Sequence, residues 1–421
     1  MQTFVQALNI LFILGISWWV WKQEPTIMRK FFWPALAAKL SAGILVGVVY
    51  AISYTTSDTF SMFEWAMELS LMARTDLTGY LEYLWSTPEG YFLGVDRTIF
   101  FVKITSLFAL LTYDSYWIAS LYFSFLSFLA AWKLTKIMWQ HIPRLGVSAA
   151  IAFLFFPSCV FWASGIIKES LAMAGLFYIA SLFLQVWFKH RITVFQVLVS
   201  VIAIWIVWNL KYYYIGLFIP VLFATWITRK IIEARNISQF AKEGAIWVSI
   251  VLLTVFLVSF VHPNFSIHRI MNVLVSNNAM LLKNSNPDDI IQYYNLKATG
   301  WSIFINSPLA LVSGLFRPFI WEANTMLKTL AAVENLALLI LSIISIKSLL
   351  TIKNSPNRVL ILAIITYCLV LCLLLSISTP NFGTLVRYRI GFLPFLVMLL
   401  ASQPAVIRPL AKLFNVYIAD D

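Results

Sequence analysis

The charged residues of this chain are few, and several lie in short motifs where they could do chemistry. Lys, Arg, Asp and Glu make up 11% of a sequence that is 61% hydrophobic. A carboxylate can deprotonate or orient a hydroxyl group, and an arginine can bind a phosphate group with paired hydrogen bonds. The candidate residues for these roles are Asp58, Lys168, Glu169, Lys211, Tyr213, Arg317, Glu322, Arg387, Tyr388 and Arg389.

Two of the candidate carboxylates directly follow apolar segments. Asp58 comes after the second apolar segment, and Glu169 comes after Lys168 and the turn at Gly165. A charge at the edge of the hydrocarbon is costly, so two carboxylates on one face form a plausible catalytic pair. The alternative is structural, because Asp58 could cap a helix and Lys168 with Glu169 could cap adjoining helices.

The candidate cations are predicted to bind phosphate, with a structural alternative for each motif. Arg317 and Glu322 surround Pro318, which predicts a non-helical turn, and their alternative is an internal ion pair. Arg387 and Arg389 precede the last apolar segment, where a helix start favours an anion between them. Lys211 stands before three tyrosines, a pattern typical of an interfacial lysine, with a phosphate contact as the alternative.

These motifs need membrane-spanning helices to position them. The formal charge of +12 would suggest nucleic acid in a soluble protein, but here the basic residues lie in short loops, as in cytoplasmic loops of membrane proteins. We therefore expect no nucleic-acid partner. Apolar segments near the length that crosses a bilayer lie at 4–21, 33–54, 116–132, 146–163, 171–188, 192–209, 212–228, 244–261, 329–346, 359–376 and 390–405.

The basic loops give a topology in which all the motifs lie on the outer side. The outer segments are 55–115, 164–170, 210–212, 262–328 and 377–389. Two shorter apolar stretches, 98–112 and 303–316, are predicted as re-entrant or interfacial helices. The acidic segment 55–95 has helical periodicity and predicts one or two amphipathic helices.

The predicted fold class is thus all-α, a polytopic transmembrane bundle of about 11–13 spans that forms a single membrane domain over 1–421. Interfacial helices belong to the first outer loop, 55–115, and a re-entrant helix to the second large outer loop, 262–328. The sequence contains no nucleotide-binding motif, so no nucleotide cofactor is expected. No motif indicates a divalent metal, and Cys159, Cys368 and Cys372 are predicted core residues.

The order of segments from 55 to 170 resembles that of the GT-C glycosyltransferases, the multi-span class that takes sugars from polyprenyl-phosphate carriers. Asp58 matches the acidic residue that follows an early span in that class, and Glu169 matches a second acidic residue that ends a later outward helix. Residues 98–112 would then be an interfacial helix of the first outer loop. The motifs at 317–322 and 381–389 resemble bacterial membrane proteins associated with surface polysaccharides.

The resemblance implies an inverting glycosyltransferase at the outer face of a bacterial inner membrane, with a sugar on undecaprenyl phosphate or diphosphate as donor and a glycan or lipid-linked acceptor. Asp58 would deprotonate or orient the acceptor hydroxyl, and Glu169 would orient the acceptor or hold a metal. The lipid phosphate would be bound by Arg317, Arg387 and Arg389, with Lys168 and Lys211. Asp58 and Glu169 are expected within roughly 10 Å of each other.

Two other functions remain open from the sequence. A polymerase of O-antigen or capsule would use the outer arginines on a lipid diphosphate and need no carboxylate base. A flippase or transporter of lipid-linked sugars would place charges near the middle of the membrane, in broken helices related by an internal repeat.

Overall fold

The chain is almost wholly helical. A computed structural model describes residues 2–53, 58–85, 96–261, 265–349 and 355–413. Within these ranges the chain forms eighteen α-helices and no strand, apart from an isolated bridge between Ile290 and Asn381. The prediction of an all-α, polytopic membrane protein is confirmed.

The helices follow one another with short connections. The first nine are α1 Gln2–Lys22, α2 Thr26–Ser53, α3 Asp58–Thr75, α4 Leu77–Trp85, α5 Asp96–Thr112, α6 Tyr116–His141, α7 Pro143–Ala150, α8 Pro157–Phe161 and α9 Lys168–Trp187. The other nine are α10 Val194–Arg235, α11 Phe240–Val261, α12 Ile267–Lys283, α13 Gly300–Phe316, α14 Met326–Leu349, α15 Arg358–Ser378, α16 Phe382–Tyr388, α17 Leu393–Ala401 and α18 Pro404–Leu413.

Among the described residues, fewer helices qualify as spans than the sequence predicts. Eight are long and apolar enough to cross a membrane, and the pair Phe382–Gly391 and Leu393–Ala401, bent by 69°, makes a ninth if it is one span. The segments predicted at 192–209 and 212–228 are two helices that meet at a kink at Lys211, and α10 comprises both of them.

The segment predicted as a span at 146–163 is broken into three pieces. A π-helix, Ile151–Phe155, follows α7, and α8 then begins at Pro157. Proline has no N–H for the helix ladder and forces the residue before it, Phe156, into an extended conformation, so the helix cannot continue through this point.

The chain divides into two compact units. The first comprises Met1–His141 and Phe153–Tyr212, and the second comprises Ile142–Ala152 and Tyr213–Asp421. That the whole chain acts as one membrane domain stays a prediction.

In the first unit, α6 is the central helix and packs on α2, α5 and α9. Helices form where the first outer loop was expected to have them, as α3, α4 and α5. They share a core because apolar residues recur at helical spacing on α3, such as Phe63 and Ala66, and pack with Tyr80 of α4 and Phe101 of α5. Their place at the membrane interface stays a prediction.

In the second unit, α13 packs on α15 through small residues. A Cβ added at Gly314 would lie 2.6 Å from the Sγ atom of Cys372, so the two helices approach closely there. The opposite face of α13 is apolar and exposed along its whole length, as in a helix that contacts lipid, through Trp301, Phe304, Ile305, Leu309 and Val312.

The turn before α9 requires a glycine, which leads to a stability prediction. Gly165 has a φ of +74°, and a Cβ there would lie 3.1 Å from the carbonyl oxygen of Gly43. Gly165→Ala should therefore lower the free energy of unfolding by about 1–3 kcal/mol. Gly15→Ala is the control, because nothing lies within 4 Å of a Cβ there. Thermal unfolding in detergent measures both, and equal behaviour of the two variants would contradict this account.

Candidate functional site

The start of α3 lies beside the start of α9 in the first unit. Asp58 is the first residue of α3, and its side chain lies outside the described residues. The next residue, Thr59, is buried; its hydroxyl donates a hydrogen bond of 2.6 Å to the carbonyl oxygen of Ile166 and lies 3.0 Å from the hydroxyl of Tyr116. Because Ile166 leads directly into α9, the two segments that carry the candidate carboxylates are brought together.

Hydrogen bonds with residues of α2 and α6 hold the turn between α8 and α9. The Gly165 N–H donates to the Ser124 hydroxyl at 2.9 Å. The Lys39 ammonium, buried on α2, donates to the carbonyl oxygens of Cys159 and Val160 at 3.4 Å each. A cation suits the last carbonyls of a helix, so Lys39 holds the end of α8 in place. The start of α9 is thus held in place before any ligand binds.

Glu169 and Lys211 form a buried ion pair. The Lys211 Nζ atom lies 2.7 Å from the Glu169 Oε1 atom, and the two side chains are 5% and 0% exposed. Lys211 is also the non-helical residue of α10, so the pair joins the start of α9 to this kink. A carboxylate with no exposed surface cannot reach a substrate in this conformation, which favours a positioning role for Glu169.

Two further contacts complete a closed cluster around this pair. The Lys168 Nζ atom donates to the Thr98 hydroxyl at 2.7 Å, and the Arg97 guanidinium lies 4.7 Å from the centre of the Tyr212 ring. Glu169 contacts Lys211, Lys168 contacts Thr98, and Arg97 contacts Tyr212. The three contacts therefore link the segments 97–98, 168–169 and 211–212 to one another. We call this group the basic cluster, formed by Arg97, Thr98, Lys168, Glu169, Lys211 and Tyr212.

The sequence analysis did not find Arg97. Its only signal is its place in a short polar group, 96–98, directly before the apolar stretch of α5. Arg97, Lys168 and Tyr212 are partly exposed, whereas Glu169 and Lys211 are buried. The basic cluster thus has a neutral ion pair inside and two cations nearer its surface.

In the second unit, Arg317 forms the internal ion pair that was the structural alternative. Its Nε atom donates to both carboxylate oxygens of Glu322, at 2.9 and 3.1 Å, and its Nη2 atom donates to Oε1. The N–H of Phe319 donates to Glu322 Oε2 at 2.8 Å. The Arg317 guanidinium lies 4.8 Å from the centre of the Phe382 ring, so the motifs at 317–322 and 381–389 are adjacent.

Arg389 is also paired with a carboxylate. It is fully buried, and its Nη2 atom lies 3.3 Å from the Oε1 atom of Glu334 on α14. The Tyr388 carbonyl oxygen accepts a hydrogen bond from the Tyr214 hydroxyl, and the rings of Tyr213 and Tyr388 lie 6.4 Å apart. Arg389 therefore anchors the chain after α16.

Of the three predicted phosphate-binding arginines, Arg317 and Arg387 are partly exposed and Arg389 is buried. The Arg387 guanidinium lies 5.4 Å from the centre of the neighbouring Tyr388 ring. The helix that carries it, α16, is capped by Asn381, whose Oδ1 atom accepts from the Thr384 N–H at 3.1 Å. The start of the helix that carries Arg387 is thus fixed by a side-chain cap.

Hydrogen bonds hold the loop after α12 against the end of α15. The Tyr293 hydroxyl donates to the Ser376 carbonyl oxygen at 2.9 Å, and the Ile291 N–H donates to the Pro380 carbonyl oxygen at 2.8 Å. Burial raises the pKa of Tyr293 above its ordinary value, so this hydroxyl stays a neutral donor. The loop therefore supports the segment that leads to Arg387.

The predicted site residues fall into two clusters, one in each unit. The first contains the start of α3, Lys168, Glu169 and Lys211, and the second contains Tyr213, Arg317, Glu322, Arg387, Tyr388 and Arg389. Among the described residues, no group of three or more His, Cys, Asp or Glu side chains could hold a metal ion. Comparisons with protein-family models, with curated proteins and with solved structures find no match for this chain.

The buried pair can be tested by stability measurements. Glu169→Gln alone removes the carboxylate beside the buried Lys211, and Lys211→Met alone removes the ammonium beside the buried Glu169. Each single variant should lower the free energy of unfolding by about 3–5 kcal/mol. The double variant should cost clearly less than the sum of the two single losses. The exposed pair of Arg229 and Glu233 on α10 is the control, where Glu233→Gln should cost at most about 0.5 kcal/mol. Additive losses at Glu169 and Lys211 would show that the two residues do not interact.

Proposed function

We propose that this protein is a membrane glycosyltransferase of the GT-C type. It moves a sugar from a polyprenyl phosphate or diphosphate to a glycan or lipid-linked acceptor at the outer face of a bacterial inner membrane. The observation that carries the proposal is the hydrogen bond from Thr59 to the Ile166 carbonyl oxygen, because it joins the Asp58 segment to the start of α9. The proposed reaction needs a carboxylate near a cation that binds phosphate, and this hydrogen bond joins the segment of Asp58 to the segment of Lys168.

In the proposed reaction, the acceptor hydroxyl oxygen attacks the anomeric carbon of the donor sugar. The bond from that carbon to the phosphate oxygen breaks, and the bonding electrons leave with the phosphate group. Asp58 takes the proton of the acceptor hydroxyl, and nearby cations stabilise the negative charge that develops on the leaving phosphate. The carrier phosphate is itself the leaving group, so the reaction needs no nucleotide.

The geometry divides the candidate residues by role. Lys168, in the first unit with the start of α3, is partly exposed and is proposed to contact the carrier phosphate, and Arg387 is a partly exposed arginine of the cluster in the second unit. Lys211, Arg317 and Arg389 are each paired with a carboxylate and are proposed to position their segments. A cation whose charge is already offset gains less from a bound anion, so these three are weaker phosphate ligands. The residues around these arginines are Glu322, which pairs with Arg317, and Tyr388, which contacts Arg387 and the ring of Tyr213.

A polymerase of O-antigen or capsule is the second candidate. It is supported by the contact of Arg317 with Phe382, which places two arginine-containing motifs side by side in the second unit. Such an enzyme acts on a lipid diphosphate and repeats the transfer on its own product.

The first test of the transferase is Asp58→Asn. Loss of the base should lower the rate of sugar transfer roughly 100- to 10,000-fold, with expression unchanged. Glu64→Gln is a matched control, since Glu64 is an exposed carboxylate on the same helix. Transfer is measured in membranes, with a panel of polyprenyl-phosphate sugars as donors. A rate near wild type for Asp58→Asn would rule out Asp58 as the base.

The polymerase is tested by the products and by Arg387→Ala. A transferase should yield one added sugar, and Asp58→Asn should reduce the yield more than Arg387→Ala does. A polymerase should yield a ladder of products resolved by gel electrophoresis, and Arg387→Ala should shorten the ladder more than Asp58→Asn does.

A further inference from the structure

We propose that the exposed face of α1 binds an anionic phospholipid, with the headgroup at Lys22 and Arg29 and an acyl chain along the helix. The face consists of exposed residues that recur at helical spacing, and we call it the α1 lipid face: Phe4, Leu8, Leu11, Gly15, Trp18, Trp19 and Lys22. This inference is independent of the proposed function, because it involves neither the transferred sugar nor its carrier.

The first support is the way α1 lies in the first unit. Its buried residues, Asn9, Ile13 and Ser17, recur every four positions and therefore form a single line along the helix. The α1 lipid face lies on the opposite side, where Leu11 is 63% exposed and Trp19 is 64% exposed. A membrane-spanning helix with one buried line and an exposed apolar face contacts lipid along that face.

The second support is a pair of cations at the end of this face. The Lys22 Nζ atom lies 5.4 Å from the centre of the Trp18 ring, and the Arg29 guanidinium lies 5.3 Å from the centre of the Trp21 ring. The two ring centres are 4.9 Å apart, and the Arg29 Nη2 atom donates to the Lys22 carbonyl oxygen. Both cations are therefore held against one pair of indole rings.

The third support is the balance of charge around these two cations. Glu24 is the only acidic residue in 1–57, and it is buried in an ion pair of 2.9 Å with Lys136 of α6. The other charged residues in the adjoining parts of α2 and α6, Lys30 and Lys133, are basic. Among the described residues, neither of the two cations forms an ion pair. An anionic headgroup therefore meets an excess of positive charge.

The fourth support is a notch in the α1 lipid face. Gly15 has no side chain, and nothing lies within 4 Å of a Cβ built there. The residues four positions away on either side, Leu11 and Trp19, are bulky and exposed, so the notch between them suits part of an acyl chain. A protein helix suits it less well, because close helix contacts in membranes use small residues four positions apart.

The depth of these groups also fits one phospholipid. The end of α1 at Lys22 is the one that the basic loops predict as cytoplasmic, and anionic lipids of that leaflet attract basic residues. Gly15 lies about 10 Å from Lys22 along the helix axis, within one leaflet. Trp18 and Trp19 lie between them, and tryptophan is enriched at the interface of headgroups and hydrocarbon.

A second pair of tryptophan and lysine provides a matched control. Lys230 follows Trp226 by four residues, the same spacing as in the α1 lipid face, and its Nζ atom lies 5.9 Å from the centre of that ring. Beside it, however, Arg229 forms an ion pair with Glu233. Lys230→Gln therefore removes the same charge from a similar pair that has a carboxylate nearby.

The test is lipid binding by the full chain in neutral detergent, measured by native mass spectrometry. The probes are phosphatidylglycerol, which is anionic, and phosphatidylcholine with the same acyl chains. The double variant Lys22→Gln with Arg29→Gln should weaken phosphatidylglycerol binding roughly 30-fold, about fivefold for each basic residue, and leave phosphatidylcholine binding unchanged. Lys22→Arg with Arg29→Lys keeps both charges and should stay within about threefold of wild type. Lys230→Gln should leave both affinities unchanged.

The notch is tested with Gly15→Leu. The added side chain fills the space for the acyl chain, so both lipids should bind more weakly by the same factor. Gly244→Leu on α11 is the control, because nothing lies within 4 Å of a Cβ at Gly244 either, and it should leave both affinities unchanged.

Thermal unfolding shows whether each variant is folded, and the exposed Lys22→Gln alone decides the test if the double variant is not. The proposal is overturned if wild type binds the two lipids equally, if the folded neutral variant binds phosphatidylglycerol normally, or if Lys230→Gln loses as much affinity. Preference for undecaprenyl phosphate over phosphatidylglycerol would assign the face to a carrier lipid instead. Dissociation of an oligomer by Gly15→Leu, with lipid affinity unchanged, would assign it to a protein helix.

Discussion

The first unit depends on one buried ion pair, that of Lys211 with Glu169. Two charges in a low-dielectric interior are tolerated only when each finds the other, so the contact fixes where the start of α9 and the kink of α10 must meet. Residues adjacent to the pair are placed as a consequence: Lys168 reaches Thr98, and Tyr212 lies against Arg97. The geometry of the basic cluster follows from this pairing.

The same constraint acts repeatedly in the second unit. Arg389 is paired with Glu334, Arg317 with Glu322, and Arg358 with Glu243, and in each pair the carboxylate is largely buried. A rare charge in an apolar sequence therefore has two explanations, a ligand or a partner charge. Here Lys211, Arg317 and Arg389 each lie beside a carboxylate, so a rare cation at the end of an apolar segment does not by itself identify a ligand site.

Hydropathy predicted the helices well, because burial in lipid requires long apolar segments with satisfied backbone groups. Hydropathy could not distinguish a turn between two helices from a kink within one helix at Lys211, because the sequence before the three tyrosines is the same in both cases. Nor could it find Glu334, which lies within a predicted span, or Arg97, which follows an acidic segment. Both are defined by contacts between residues far apart in sequence, and no local pattern encodes such contacts.

Pairing also bears on how a site of this kind would work. The carboxylate of Glu169 compensates Lys211 before a ligand arrives, so the kink and the start of α9 need not rearrange when an anion binds. Preorganised charges stabilise a developing negative charge without further reorganisation, which is where most electrostatic catalysis arises. Burial of Glu169 then has a structural consequence even if the residue never contacts a substrate, because it offsets the Lys211 charge and fixes the start of α9 against the kink of α10.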